Sequence, residues 1–486
     1  MKIPRCMSTQ HPDNVTVPFF AENSLMKDHD EVQEAYYAFS HLDITEQLWD
    51  AEGKEVDTSV VKKLLGTYDQ FFRSRRLGRD LFLTVRLPNP TIDKAEAKVF
   101  TETLESIPRS FDAAKAFYGD DLPPIFEVVL PMTSSADELN RTWNYYTTCV
   151  VGKQDASLGS MRVRDWIGEY KPEQLSLIPL IEDKASFQNI KTIIKGYVEG
   201  KRIERQRVWL ARSDPALNYG WLAAVLLNKA AMAELEELEK EISIDLAPII
   251  GVGSAPFRGN FRPDNLNALK GYPSVQTFTI QSAFKYDYPN RQVRDAIDQI
   301  TSTARGKAIP VERERVSEMG ERFSKAYEKQ LLLIAPWVQK MAKHIPARRQ
   351  RKLHIGLFGY ARATAGLKLP RAITFCAALY SLGIPPELLG MDALTDKDAE
   401  FLESTIYRNL PGDVQSALQY ANRRNVAQIA PALLPQLTKA LEQFDVATNE
   451  EHEKATSEVL QALHANDEAA LHQHILKAAW ARRFIG

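Results

Sequence analysis

The chain has 486 residues, of which 44% are hydrophobic and 26% charged, a globular composition that excludes a disordered, collagenous or disulfide-scaffold protein. Lys and Arg number 61 against 63 Asp and Glu, so a formal charge of -2 leaves no overall basic field for nucleic acid. Length alone suggests about three domains, but barrels of alternating strands and helices absorb long insertions into one.

Residues 1–14 have no apolar core, so no secretory signal is expected. A possible strand lies at 42–45. From about residue 80 short apolar runs alternate with longer amphipathic segments. The first run, 80–86, is closed by the turn signal Pro88-Asn-Pro90, and a helical pattern follows over 93–118. A strand at 125–132 precedes a helix that Ser134 or Ser135 is placed to cap. Further strands are expected at 175–181, 207–211, 248–253, 275–280 and 353–358, with a helix from near Phe187 and a long one over 221–242. Residues 310–346 read as helical, and 386–486 as an almost wholly helical extension without strands. The most apolar stretches, 221–228 and 372–384, are shorter than the roughly 20 residues that span a bilayer. Cys6, Cys149 and Cys376 are scattered without metal-ligand spacing and read as reduced thiols. A soluble, cytoplasmic protein is expected, with no membrane and no nucleic-acid partner.

Seven strands and a possible eighth, separated by helices, predict a parallel sheet closed into a (β/α)8 TIM-type barrel with large additional helical segments. An open doubly wound sheet is the alternative, but no GxGxxG follows any strand. The expected organisation is one barrel domain over 1–486 with an N-terminal loop at about 1–20.

In a barrel the reactive residues belong in the loops after the strands. Arg86 ends one strand, Glu182 and Asp183 another, and Arg212, Ser213 and Asp214 a third. Gln281 follows the 275–280 strand, and Arg258 and Arg262 lie in a Gly- and Pro-rich loop. Glu182 and Asp214 are about one strand-helix unit apart, which puts them on neighbouring strand ends. Two oxygen ligands without His or Cys suit a hard ion, Mg2+ or Mn2+. Either acid alone is equally explained as a helix cap, Asp214 before Pro215 especially; together with the arginines they point to a metal. Guanidinium groups bind phosphate and carboxylate through paired hydrogen bonds, so Arg86, Arg258, Arg262, Arg362 and Arg371 imply a small anionic substrate. Arg371 also opens an apolar helix, whose N-terminus favours anions. The basic run Arg348, Arg349, Arg351 and Lys352 reads as a solvated face. His11 sits in Ser8-Thr-Gln-His-Pro-Asp-Asn14. By position this is a frayed terminus; by composition it is a proton-transfer loop.

These motifs, in their order, resemble phosphoenolpyruvate carboxylase, in its shorter archaeal-type branch, over nearly the whole chain. Ser8 to Asn14 is similar to the branch's N-terminal signature. Leu177-Ile-Pro-Leu-Ile-Glu182 and Ser213-Asp214 are similar to the segments that supply its two metal ligands. Tyr360-Ala-Arg362 resembles its Gly-Ser-Arg, Leu369-Pro-Arg-Ala-Ile373 its Leu-Arg-Ala-Ile-Pro, and Leu83-Thr-Val-Arg86 a phosphate-contacting segment. Pro256-Phe-Arg-Gly-Asn-Phe-Arg-Pro263 stands where the larger enzymes carry Gly-Arg-Gly-Gly, and Leu217 where they carry a Lys.

The resemblance implies carboxylation of phosphoenolpyruvate by bicarbonate to oxaloacetate and phosphate, through carboxyphosphate and an enolate, in anaplerotic carbon fixation. It implies Glu182 and Asp214 as ligands of Mg2+ or Mn2+, and His11, Arg258 and Arg362 as catalytic groups. Arg86, Arg212, Arg262, Gln281 and Arg371 would bind substrate, the loop at Phe257 and Phe261 would act as a lid, and the assembly would be a homotetramer. The alternatives are another metal-dependent barrel, a lyase or aldolase acting on a pyruvate enolate, or a non-enzymatic helical scaffold on 310–486.

Overall fold

Alternation of buried and turned-away side chains becomes a barrel once every strand finds a parallel neighbour. The computed structural model describes residues 3–51, 57–350, 363–364 and 367–486. In it eight parallel strands close on themselves: β1 (Cys6–Ser8), β2 (Glu46–Asp50), β3 (Phe82–Arg86), β4 (Glu127–Leu130), β5 (Ser176–Ile181), β6 (Arg205–Ala211), β7 (Asp245–Gly251) and β8 (Thr277–Ile280). Neighbours in sequence pair in space, and β1 closes the ring between β2 and β8. This is the expected (β/α)8 barrel.

Six strands fall where the apolar runs put them. The other two differ for a physical reason. β2 starts at Glu46, not within 42–45, because the polar residues Glu46, Gln47 and Asp50 are buried and continue the strand. β1 is three residues long and carries no apolar run, yet it is bonded on both sides. The candidate strand at 353–358 lies outside the described residues.

Period-two alternation stacks the lumen in tiers. The lowest is ionic: Arg207 of β6 bonds both carboxylate oxygens of Glu46 at 2.7 and 2.8 Å, Glu127 at 2.8 Å and Thr277 at 3.1 Å, and Thr84 bonds Glu46 at 2.6 Å. Burial alone would lower the Arg207 pKa, but Glu46 and Glu127 overcome it and raise it. Above lies an apolar tier of Met7, Leu48, Val129, Ile178, Leu180, Trp209, Ala211 and Ile249. The upper tier holds Asp50, Arg86 and Glu182. Because Arg207 ties three strands together through buried charges, Arg207→Met is expected to cost about 3–5 kcal/mol, read as a lowered urea midpoint; an unchanged midpoint would show the lowest tier to be dispensable.

Helices cover the barrel. They include α1 (His29–His41), α2 (Ser213–Tyr219), α3 (Trp221–Ile242), α4 (Ser282–Tyr286), α5 (Arg313–Ala342) and α6 (Ala372–Ser381). Ser135 caps the helix after β4, accepting from the Glu138 N–H at 3.3 Å. The expected helical stretch at 310–346 is the single helix α5, which packs with α3 and the C-terminal helices around a second apolar core that includes Trp221, Phe323, Phe375 and Leu388. That core docks the C-terminal extension to the barrel's outer helices. Among the described residues no single helix is long and apolar enough to cross a membrane.

Two surface expectations are corrected. Phe257 and Phe261, expected on a lid, are not exposed: both are buried, Phe257 against Phe375 and Phe261 against Phe278 and Phe284. Arg348 and Arg349 are not solvated either. Arg348 donates to the carbonyls of Asn14 and Val15, and Arg349 pairs with Glu31 and Glu34. Arg351 and Lys352 lie outside the described residues.

Candidate active site

The carboxyl ends of the strands open into a cleft. Its walls include His11, Arg86, Glu182, Asp214, Arg258 and Arg371, and its floor Leu180, Trp209, Ala211 and Gly251. Arg212, Ser213 and Gln281 also line it. Residues more than 350 positions apart thus converge because each follows a strand of one ring or, for Arg371, opens α6.

The acids come from adjacent strands, with Ile181 opposite Leu210 in the register. Glu182 is 7% exposed, and its Oε2 accepts from the Met132 N–H at 2.7 Å. Its neighbour Asp183 points the other way and caps the next helix, accepting from the Ser186 N–H at 3.0 Å. Asp214 lies in the first turn of α2, whose start carries no side-chain cap bond. The cap reading therefore describes Asp183, while Glu182 and Asp214 face the cleft.

The donor set tests whether a metal suits this place. Among the described residues no group of three or more His, Cys, Asp or Glu is arranged to hold an ion. Two carboxylates alone match the habit of Mg2+, which takes one or two protein carboxylates and leaves other positions to water and substrate oxygens. The residues present fit Mg2+ or Mn2+ and would not form an all-protein cage.

The cations are held differently from one another. Arg86 forms a two-pronged pair with Asp50, at 2.9 and 2.6 Å. Arg258 is 1% exposed and donates to Ser213 Oγ at 3.1 Å, Asp13 Oδ2 at 3.1 Å, the Gly486 main-chain oxygen at 2.8 Å and Gln281 Oε1. Gly253 makes room for it: a Cβ there would sit 2.9 Å from Arg258 Cζ and 2.8 Å from Gln281 Oε1. Arg371 is exposed at the start of α6. Arg212 is 2% exposed, and its Nε and Nη1 have no hydrogen-bond partner among the described residues. Burial raises the Tyr272 pKa, and the charge and hydrogen bond of Arg212 partly offset that rise.

His11 is not at a frayed end. The loop that bears it continues from β1, and Ser8, Thr9, Gln10, Asp13 and Asn14 around it are buried. Its Nδ1 bonds Thr9 Oγ1 at 2.9 Å. One expected residue is not brought to the cleft, since Arg262 turns away into an ion pair with Asp264 at 3.3 Å; Arg362 lies outside the described residues. Conversely, the sequence reading passes over three residues. Asp50 was hidden by the misplaced second strand, and Trp209 reads only as an apolar strand residue. The anchoring of Arg258 by Asp13 joins positions 245 apart in the chain.

Residues 3–486 match the family model described as phosphoenolpyruvate carboxylase. A phosphoenolpyruvate carboxylase of Methanothermobacter thermautotrophicus is 50% identical over 489 residues, covering 100% of both chains. One of Methanospirillum hungatei is 46% identical over 491 residues, again covering 100% of both. A third, of Pyrococcus furiosus, is 48% identical over 445 residues, 91% of this chain and 93% of the relative. With an acid-and-arginine cleft at the mouth of its barrel and this likeness along its whole length, the chain belongs to the phosphoenolpyruvate carboxylase family of enzymes.

Proposed function

We propose that the cleft carboxylates phosphoenolpyruvate with bicarbonate, giving oxaloacetate and phosphate, with Mg2+ or Mn2+ held by Glu182 and Asp214. The observation that carries this reading is the meeting of those two acids with Arg258, Arg371 and His11 in one cleft. The ion, when bound, supplies a fixed positive charge beside the carboxylate and phosphate of the substrate.

The chain's own residues do the rest. In the first step a bicarbonate oxygen attacks phosphorus, and the bond from phosphorus to the enol oxygen breaks, leaving carboxyphosphate and the enolate of pyruvate. Two anions must approach, so Arg258 and Arg371 offset their repulsion, and Arg86, steadied by Asp50, bounds the same volume. Arg258 is already oriented by four acceptors and needs little rearrangement as charge develops. In the second step carboxyphosphate parts into CO2 and phosphate, and the enolate carbon attacks CO2. His11, oriented by Thr9, handles the proton that bicarbonate brings. The floor of Leu180 and Trp209 keeps water from the enolate, which a stray proton would turn into pyruvate.

A coupled oxaloacetate assay with bicarbonate supplied and withheld tests this reading. Oxaloacetate and phosphate should both require bicarbonate. Turnover of phosphoenolpyruvate without it would instead favour the lyase or aldolase alternative. Arg371→Ala should raise the KM for phosphoenolpyruvate about tenfold, the worth of one exposed charged hydrogen bond, and an unchanged KM would remove Arg371 from the substrate.

A further inference from the structure

Just behind the cleft, one buried ammonium has no part in the chemistry proposed above. Lys285, in α4 after β8, is 1% exposed, and its Nζ donates to Ser8 Oγ at 2.9 Å, the Thr9 carbonyl at 3.0 Å and Glu34 Oε1 at 2.8 Å. All three of its protons are therefore spent, two of them on the start of the loop that carries His11. Glu34 of α1 is buried beneath it and also accepts from Arg349 at 2.6 Å and Tyr286 at 2.8 Å. Arg349 in turn reaches Glu31 at 3.2 Å. Two cations thus face two carboxylates, and the cluster is balanced in charge.

The segment around Lys285 follows the same loop along its whole length. The Ser282 N–H donates to the His11 carbonyl at 3.2 Å, and the Ala283 N–H to Asp13 Oδ1 at 2.7 Å. Asp287 accepts from the Val15 and Thr16 N–H groups at 2.8 and 2.6 Å. The loop is gripped before, at and after the imidazole, and Thr9 itself is held on two sides, its N–H donating to the Ile280 carbonyl at 3.0 Å and its carbonyl accepting from Lys285. Thr9 in turn is the residue whose hydroxyl bonds His11 Nδ1 at 2.9 Å.

We infer that Lys285 is a positioning residue for His11: through Thr9 it fixes the direction of the imidazole during the second half of the reaction. This rests on the role given to His11 under the proposed function. A burial cost as large as that of an internal ammonium is tolerated only where its partners are fixed, and here two of the three partners are the last residue of β1 and the first residue of the catalytic loop. Loosening that loop after phosphoryl transfer would let the enolate meet a proton before CO2, so phosphate would be released without oxaloacetate.

The test measures phosphate and oxaloacetate in the same reaction, using the full-length enzyme with phosphoenolpyruvate, bicarbonate and Mg2+. Lys285→Met should keep the KM for phosphoenolpyruvate within about twofold, lower oxaloacetate formation by about tenfold or more, and release phosphate in excess. A lower rate with equal products would make Lys285 merely structural and overturn the inference, as would an unchanged rate. If Lys285→Met does not fold, Thr9→Val removes only the hydroxyl that Lys285 places. An excess of phosphate there supports the inference, and equal products overturn it. His11→Gln separates the two levels of argument. Excess phosphate in His11→Gln but not in Lys285→Met sinks the positioning role alone, whereas full coupled activity in His11→Gln sinks the role of His11 itself.

Discussion

Glu182→Gln and Asp214→Asn are each expected to lose about a thousandfold or more in oxaloacetate turnover, with little change in thermal midpoint. A bound divalent ion contributes several kcal/mol at developing charge, and each 1.4 kcal/mol is a factor of ten. The amide variants keep the shape of the side chain. In Glu182→Gln the amide oxygen still accepts from the Met132 N–H, so the local fold survives. What is lost is the negative charge that a hard cation requires. Direct Mn2+ titration of each variant is the decisive measurement, because it reads the ligand role without relying on turnover. Unaltered Mn2+ affinity in either variant would refute the assignment of that acid.

Arg258→Met should be damaging in two separable ways. Removing one preorganised donor from a charge-developing site costs about a hundredfold to a thousandfold in kcat. Asp13 is fully buried and, among the described residues, would keep only the Ala283 and Ser254 N–H groups as donors, so stability should fall by about 3–5 kcal/mol. Arg258→Lys keeps the charge but cannot span Ser213, Gln281 and the Gly486 oxygen together, and it should fall between the two. Steady-state rates below the unfolding midpoint separate chemistry from stability. A folded Arg258→Met enzyme with the parent kcat would remove this guanidinium from the reaction.

Much of the barrel is legible because its outer-facing and middle-tier residues are apolar. β3 to β8 announce themselves as short Val-, Ile- and Leu-rich runs. β1 and β2 do not, since Glu46 and Asp50 point into polar tiers of the lumen and Ser8 turns outward to Lys285, a pattern that hydrophobicity reads as loop. For the site, the rule that strand ends carry the chemistry brings Arg86, Glu182, Asp214 and Gln281 to one place. Side-chain direction is what sequence withholds. Arg258 and Arg262 share one loop, yet the first faces the cleft and the second faces Asp264. Arg348 and Arg349 look solvated because their acceptors, at Asn14, Val15, Glu31 and Glu34, lie more than 300 positions away.

The ionic tier at the foot of the barrel has a bearing on traffic. With Arg207 and Glu46 bolting the base and Trp209 and Leu48 filling the waist, the lumen is a blind vessel and not a tunnel. Whatever enters at the carboxyl ends of the strands must also depart there, so on the carboxylase reading spent phosphate and the four-carbon acid queue at the same mouth as fresh substrate.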